Sequence, residues 1–309
     1  MDGCWTRRTF VRAAATAGIG AALQAVWPER IAKAAAAAPA DLAAVTGADY
    51  YQNTLQAVEL LGGIGRFVPT GATVGLLINH PFRNPGTHVN PEVALAVLKL
   101  CHDAGAKAVR SLKDEPSGYW QRGRRAKDHA GEIKALTACS GAYANMEVPK
   151  GRSLKKAEII KESLEVDVLV NISIAKDHEG TRFSGVLKNM MGALPYSTCR
   201  FFHSGHTRGG WYGDVEFLSQ CIADINTLRR PDLSVCDATE FVTTGGPYGP
   251  GNLAKPQAVV AGSSPVTVDA YCTRFLGLEA ARVAMIRKAA EAGLGELDPG
   301  KVRLAQVRL

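Results

Sequence analysis

The sequence predicts an α/β protein: a mostly parallel sheet with helices on both faces, in a Rossmann-like layered arrangement. Three observations carry this. Short runs of β-branched and aliphatic residues alternate with longer amphipathic runs along most of the chain. One of them, "EVDVLVNISI" at 165–174, is almost continuously apolar, as a strand covered on both faces must be. Elsewhere two strand-like runs bracket a helix-like one within about forty residues, the spacing of a βαβ crossover.

Taken in order, "TVGLLIN" (73–79) reads as the first buried strand. Asn90 and Pro91 then make an N-cap and first-turn pair, and Val93, Val97, Leu100 and Cys101 recur on one face of the helix that follows. Gly105 ends that helix, and "AKAVRSL" (106–112) is the next strand. The polar stretch 113–135 reads as a surface excursion followed by a helix. After the 165–174 strand, "LSVCDAT" (233–239) and "QAVVAGS" (257–263) are two more strands. Ser263 or Ser264 with Pro265 caps a helix to about Leu276, and a last helix spans Glu279 to Ala292, stopped by Gly293. No internal repeat or low-complexity linker follows residue 40, so 41–309 is expected to form a single α/β domain.

Residues 1–40 read differently. Arg7 and Arg8 precede Thr9, Phe10, Val11 and Arg12, then a weakly apolar run of Ala, Gly, Ile and Leu. That is the order of a twin-arginine signal peptide, with cleavage expected near Ala38-Pro39-Ala40. The expected location is therefore periplasmic or secreted, with the twin-arginine translocase as a partner during export. The run from Ala13 to Trp27 is too short and too rich in Ala and Gly to span a bilayer comfortably, and no later segment reaches that length. Loss of residues 1–40 removes five basic residues and two acids, taking the net charge from +7 to +4. With no basic-aromatic stripe, that mild excess does not point to nucleic acid. Six cysteines follow (101, 139, 199, 221, 236 and 272), with no Cys-x-x-Cys, so neither an iron–sulfur ferredoxin pattern nor a zinc ribbon is present.

In a parallel sheet, ligands bind at the carboxyl ends of the strands. Three crossings there are rich in polar groups. "NHPFRNPGTHVN" offers Asn79, His80, Thr87 and His88 as ligand-binding candidates. The stretch "NISIAKDHEGTRFSGVLKNMMGALP" (171–195) brings Lys176 and His178 off the strand, then Ser184 and Gly185 as a helix start with free N–H groups, then Lys188 and Asn189. A lysine in the first turn opposes the helix dipole and makes sense beside an anion. Here Lys176 and Lys188 would neutralise a small anionic ligand, His178 would act as acid, base or metal ligand, and Asn189 would orient the ligand. The plain alternative is a solvated turn. The third crossing, "EFVTTGGPYGPGN", places Gly245 and Gly246 in a lid or a turn-rich connection after Asp237, a site carboxylate or a buried structural acid. Separately, "TCRFFHSGH" offers Cys199, His203 and His206 as ligands for a divalent metal, against an ordinary hydrogen-bonded histidine pair.

These residues resemble the domain-of-unknown-function 362 family. The likeness starts at "AVELLGGIGRFVPTGATVGLLIN", runs through "NPEVALAVLKLCHDAGAKAV", and is sharpest at "VDVLVNISIAKDHEGTRFSGVLKNMMGALP". It returns at "GSSPVTVDAYCTRFLG" and "GLGELD". The resemblance implies the layered α/β fold and the site at the Lys176–Gly192 stretch, but no reaction. Many relatives look like twin-arginine substrates, and others carry a ferredoxin-like cluster segment that is absent here. Where relatives show Lys-Pro-Asn after the first strand this chain has Asn79-His80-Pro81, and Ser264-Pro265 replaces their Asp-Pro, with Asp269 retained. The expected function is an exported enzyme or small-ligand binder with an anion pocket. The competing class is a redox or cofactor-handling accessory protein working through a partner.

Overall fold

The computed structural model of the chain describes residues 38–205 and 213–309. The signal-like segment up to residue 37, and His206, lie outside the described residues. Twelve strands are present among the described residues. The first six are β1 (Leu42–Thr46), β2 (Thr73–Ile78), β3 (Ala108–Ser111), β4 (Thr137–Ala138), β5 (Tyr143–Glu147) and β6 (Lys156–Ile160). The others are β7 (Val168–Ile174), β8 (Leu233–Ala238), β9 (Phe241–Val242), β10 (Leu253–Ala254), β11 (Ala258–Gly262) and β12 (Leu304–Arg308).

Eight of them form one sheet in the order β12-β1-β11-β8-β7-β2-β3-β4. The predicted α/β architecture is what is found. Strand β7 is buried along all seven residues, which fits its unbroken apolar sequence. From β8 through β4 every neighbouring pair is parallel. Strand β11 departs from this pattern, running antiparallel to both β8 and β1. The physical reason is its connection. Residues 239–257 carry only the β9–β10 hairpin and a glycine-rich loop, and a link without a crossover helix returns the chain antiparallel beside the strand it left.

Helices Tyr50–Leu60 and Pro91–Asp103 pack on each other, while Val215–Leu228, Pro265–Cys272 and Ala284–Glu291 form a second group. The predicted caps are seen. Asn90 Oδ1 accepts from Glu92 N, and Ser264 Oγ accepts from Thr267 N. The helix after Ser264 is α-helical only to Cys272 and tightens into a 3₁₀ turn at Thr273–Leu276.

Because β8, β7, β2 and β3 are parallel and adjacent, their carboxyl ends share one edge of the sheet. That edge receives Asp237 and Thr239 from β8, Lys176 to His178 from β7, Asn79 and His80 from β2, and Lys113 from β3. No helix among the described residues is long and apolar enough to cross a membrane.

Candidate functional site

The stretch that leaves β7 closes on itself. Lys176 and Ser184 exchange backbone hydrogen bonds of 3.1 and 2.9 Å, so the polar turn between them is a cinched loop rather than a loose one. The Lys176 side chain is fully buried. Its Nζ donates to the carbonyls of Thr87 (2.6 Å) and Pro247 (3.3 Å) and lies 3.9 Å from the centroid of the Phe82 ring. Burial, and then the charge of Lys188, pull its pKa well below the usual lysine range. Inside the turn, His178 Nδ1 accepts from the backbone N–H groups of Gly180 (3.1 Å) and Thr181 (3.2 Å). A neutral His178 ring therefore carries its proton on Nε2.

Above this turn is a cavity of about 160 Å³. Lys113, His178, Ser184, Lys188, Cys199 and His203 supply its polar wall, and Phe82, Met191, Gly192, Pro247 and Tyr248 the rest. Lys188 Nζ contacts only the soft sulfur of Met191, at 3.5 Å, and no ion pair is formed by Lys113, Lys176 or Lys188 among the described residues. Burial pushes the Lys188 ammonium down to about 8 and lowers Lys113 as well. His203 donates or accepts at Nδ1 with the Cys199 carbonyl (2.7 Å); since a carbonyl only accepts, the proton is on Nδ1. Burial and the Lys188 charge take His203 down to about 4 and push His178 far below its usual range, so both rings are neutral near pH 7. The rings stack with centroids 6.4 Å apart.

The remaining predicted residues are placed elsewhere. Ser184 reaches the cavity, but the free N–H donors expected at Ser184–Gly185 are not free. Asp269 accepts from Val186 N (2.6 Å) and Leu187 N (2.9 Å), and the helix behind them, Val186–Asn189, is a single turn. Gly185 is needed for that arrangement, because a Cβ there would overlap the Asp269 carboxylate and stand 2.6 Å from the Phe183 ring. Asn189, expected to orient a ligand, is buried and tied to protein. Its Nδ2 donates to Asn171 Oδ1 (2.7 Å) and Leu77 O (3.0 Å), and its Oδ1 accepts from Asn79 Nδ2 (3.1 Å). Asn79 and Asn189 thus pin the ends of β2 and β7 together behind the cavity.

His80 is fully buried against the Tyr119 ring, with no partner for either ring nitrogen among the described residues. His88 instead accepts from Arg122 Nη1 at 3.2 Å. Asp237 is buried and accepts from Asn90 N (2.6 Å) and Thr239 N (2.8 Å). Thr87 contributes its carbonyl to Lys176, while its hydroxyl donates to Asn84 O (2.6 Å). Gly245 has a positive φ of 69°. Gly246 donates to Asp177 Oδ2 at 2.9 Å, which lays the glycine loop over the turn and brings Pro247 and Tyr248 to the cavity wall.

The metal expectation finds no support among the described residues, where no group of three His, Cys, Asp or Glu side chains is placed to hold an ion. The chemistry of the donors agrees. Cys199 is a thiol donating to Met191 O at 3.2 Å, its pKa raised by burial, and two ammonium groups share its cavity. His206, the third predicted ligand, lies outside the described residues.

Residues 74–274 match the family described as Domain of unknown function (DUF362). The chain belongs to the DUF362 family. A curated relative, a thylakoid-associated protein of Synechocystis sp., is 26% identical over 258 residues, covering 80% of this chain and 75% of its own length. Two solved structures are also similar. A lactate racemase apoprotein from Thermoanaerobacterium thermosaccharolyticum superposes with a TM-score of 0.41 at 14% identity, over 62% of this chain and 49% of that one. A protein from Thermotoga maritima gives 0.42 at 11% identity, over 80% of this chain and 60% of its own. This chain thus spans less than two thirds of either solved chain.

Every residue lining the cavity falls inside the DUF362 span, whereas β1, β12 and the Ala284–Glu291 helix fall outside it. Lys113, Phe82, Met191, Pro247 and Tyr248 are cavity residues that sequence reasoning passed over. For Lys113 a signal existed: it is the first polar residue beyond the 106–112 strand, at the same edge as Lys176. The aromatic and proline contributions had no local signal, because only folding brings residues 82 and 248 to within 5.2 Å, ring to ring.

Proposed function

We propose that this DUF362 protein binds a small anion in the cavity at the carboxyl edge of its sheet, as an enzyme or a ligand-binding protein. The observation that carries the reading is the convergence of Lys113 and Lys188 on one cavity, above the buried Lys176, with no carboxylate paired to any of the three among the described residues. Buried charge without a counterion is costly, and a bound anion offsets that cost. The volume of about 160 Å³ equals roughly five water molecules, the size of phosphate or a three-carbon acid. Ser184 supplies a hydroxyl beside the two ammonium groups, on a wall that His178 also lines. The Arg7-Arg8 segment supports export by the twin-arginine route to the periplasm or beyond.

Calorimetric titration with phosphate, sulfate, oxalate and pyruvate tests the pocket. Wild type is expected to bind at least one of them, and Lys113→Ala or Lys188→Ala to bind it tenfold or more weakly, the roughly 1.5–3 kcal/mol of a charge-assisted contact. No binding by wild type, or equal binding by both variants, defeats the reading.

A further inference from the structure

The three lysines are not equivalent, and the difference points to chemistry. Lys176 is sealed: its Nζ is committed to two carbonyls and to the Phe82 face, with no exposed surface. Lys113 and Lys188 both open on the cavity, yet only Lys188 stands beside the imidazoles. Its charge acts on His178, His203, Lys176 and Cys199, whereas Lys113 acts on His80 and Cys199. The contact of Lys188 Nζ with the Met191 sulfur holds no proton acceptor strong enough to fix it as ammonium. Burial pushes it down to about 8, which brings the neutral amine within reach near neutral pH.

We propose that Lys188 forms a reversible Schiff base with a small 2-oxo acid whose carboxylate is paired with Lys113. The assignment rests on the anion-pocket reading and narrows it to a substrate class. An amine nucleophile, a separate cation for the carboxylate, and proton-transfer groups are what imine formation needs. The two neutral imidazoles are complementary in this respect. Nδ1 of His178 accepts two backbone N–H bonds, so its proton is on Nε2, while Nδ1–H of His203 is spent on the Cys199 carbonyl, so its lone pair is on Nε2. The cavity volume admits a carbonyl next to a carboxylate on a chain of two or three carbons.

The step balances without an oxidant or reductant. The Lys188 Nζ lone pair forms a C–N bond as the carbonyl π pair moves onto oxygen. A proton leaves nitrogen and another reaches the oxygen by exchange with solvent in the open cavity, giving a carbinolamine. The C–O bond then breaks as the oxygen takes a second proton from solvent and leaves as water, and the nitrogen lone pair closes the C=N bond. The resulting iminium keeps a positive charge beside the bound carboxylate.

The experiment is reductive trapping. The full mature chain is incubated with pyruvate or glyoxylate and sodium cyanoborohydride, then read by intact mass and peptide mapping. The expected result is a single reduced adduct on Lys188, formed faster as pH rises through about 8. Lys188→Arg and Lys188→Met should form none, and Lys113→Ala should trap at least tenfold more slowly, with circular dichroism confirming that each is folded. An adduct confined to Lys113, scattered over surface lysines, or absent from wild type overturns the assignment. Oxalate and phosphate, which have no reactive carbonyl, separate the two readings. If they bind while no adduct forms, the Schiff base is wrong and the anion pocket stands. If no anion binds and no adduct forms, both readings fall.

Discussion

Gly185 and Asp269 are fitted to each other: the space where a Cβ of residue 185 would sit is occupied by the Asp269 carboxylate. The missing side chain lets that carboxylate reach the N–H groups of Val186 and Leu187 at 2.6 and 2.9 Å. A fixed protein anion thereby takes the donors that the sequence offers to a ligand. What remains for a ligand is the lysine side-chain chemistry one turn later. In the proposed site the ligand-facing group is therefore Lys188 rather than the backbone.

Gly185→Ala should accordingly cost about 2–3 kcal/mol of stability, because it displaces a buried carboxylate from two N–H partners. Asp269→Ala should cost a similar amount, and the double variant clearly less than the sum, since both remove one arrangement. Urea denaturation with an unchanged m value is the measurement. Additive losses would show that the two residues act independently.

How far the sequence exposes this site depends on the range of the contacts involved. Lys176 and His178 are legible because the end of β7 is legible, and the residues after a covered parallel strand lie at the ligand edge. Ser184 and Lys188 follow from the same stretch. Asp269 is not legible as their partner, since 83 residues separate it from Val186 and a lone buried acid has no local signature. Asn189 has the composition of a ligand-orienting residue, yet its partners Leu77, Asn79 and Asn171 come from two other strands. The fold shows the same division. Caps at Asn90 and Ser264 and the long apolar strand are local, whereas the antiparallel direction of β11 is set by a connection. The helix Val215–Leu228 is a different kind of omission. Phe217, Leu218, Cys221, Ile222 and Ile225 recur at helical spacing and are all buried, so the pattern was present and went unread.

Gly246 is another position where a side chain has no room, because a Cβ there would collide with the Asp177 carbonyl. Gly246→Ala should lift the glycine loop, break the Pro247 contact to Lys176 and open the cavity wall at Tyr248. Faster proteolysis within residues 243–252 and weaker anion binding are expected, with the rest of the fold intact. Protection and affinity equal to wild type would mean that the loop is not part of the site.

Export is tested at the other end of the chain. Replacing Arg7 and Arg8 together with lysine keeps the charge but removes the guanidinium pair that the translocase reads. Precursor should accumulate in the cytoplasm, scored by fractionation and immunoblot. Mature-size protein still reaching the periplasm would refute twin-arginine export.

His80 should impose a pH dependence on stability. Burial, with smaller contributions from nearby cations, takes its pKa from 6.5 to about 3 in the folded protein. The unfolded state therefore binds more protons between those values, and stability present above about 6.5 is lost as pH falls toward 3. His80→Leu removes that dependence. Because both ring nitrogens lack partners among the described residues, the replacement should cost little near pH 7. Between about pH 7 and pH 5 wild type should lose about 2 kcal/mol more than the variant. Parallel urea midpoints at the two pH values would contradict this if they shifted equally.

Lys188→Met separates a functional lysine from a structural one. The side chain is half-buried, its Nζ lies 3.5 Å from the Met191 sulfur, and its pKa falls from 10.5 to about 8 on folding. At neutral pH the folded state thus carries a charge it holds at a cost, and that cost is relieved as pH rises from about 8 toward 10.5. Methionine has a similar length and no charge. The variant should therefore be more stable than wild type by about 1–3 kcal/mol near pH 7, with the gap closing in alkaline buffer. Anion binding should fall tenfold or more in the same protein. A residue kept for the fold would show the reverse, lower stability with binding preserved. Thermal or urea unfolding at about pH 7 and pH 10, beside a phosphate or pyruvate titration, reads both quantities. A stability gain together with a binding loss would mean that the protein keeps a destabilising ammonium group on its cavity wall for the sake of a ligand.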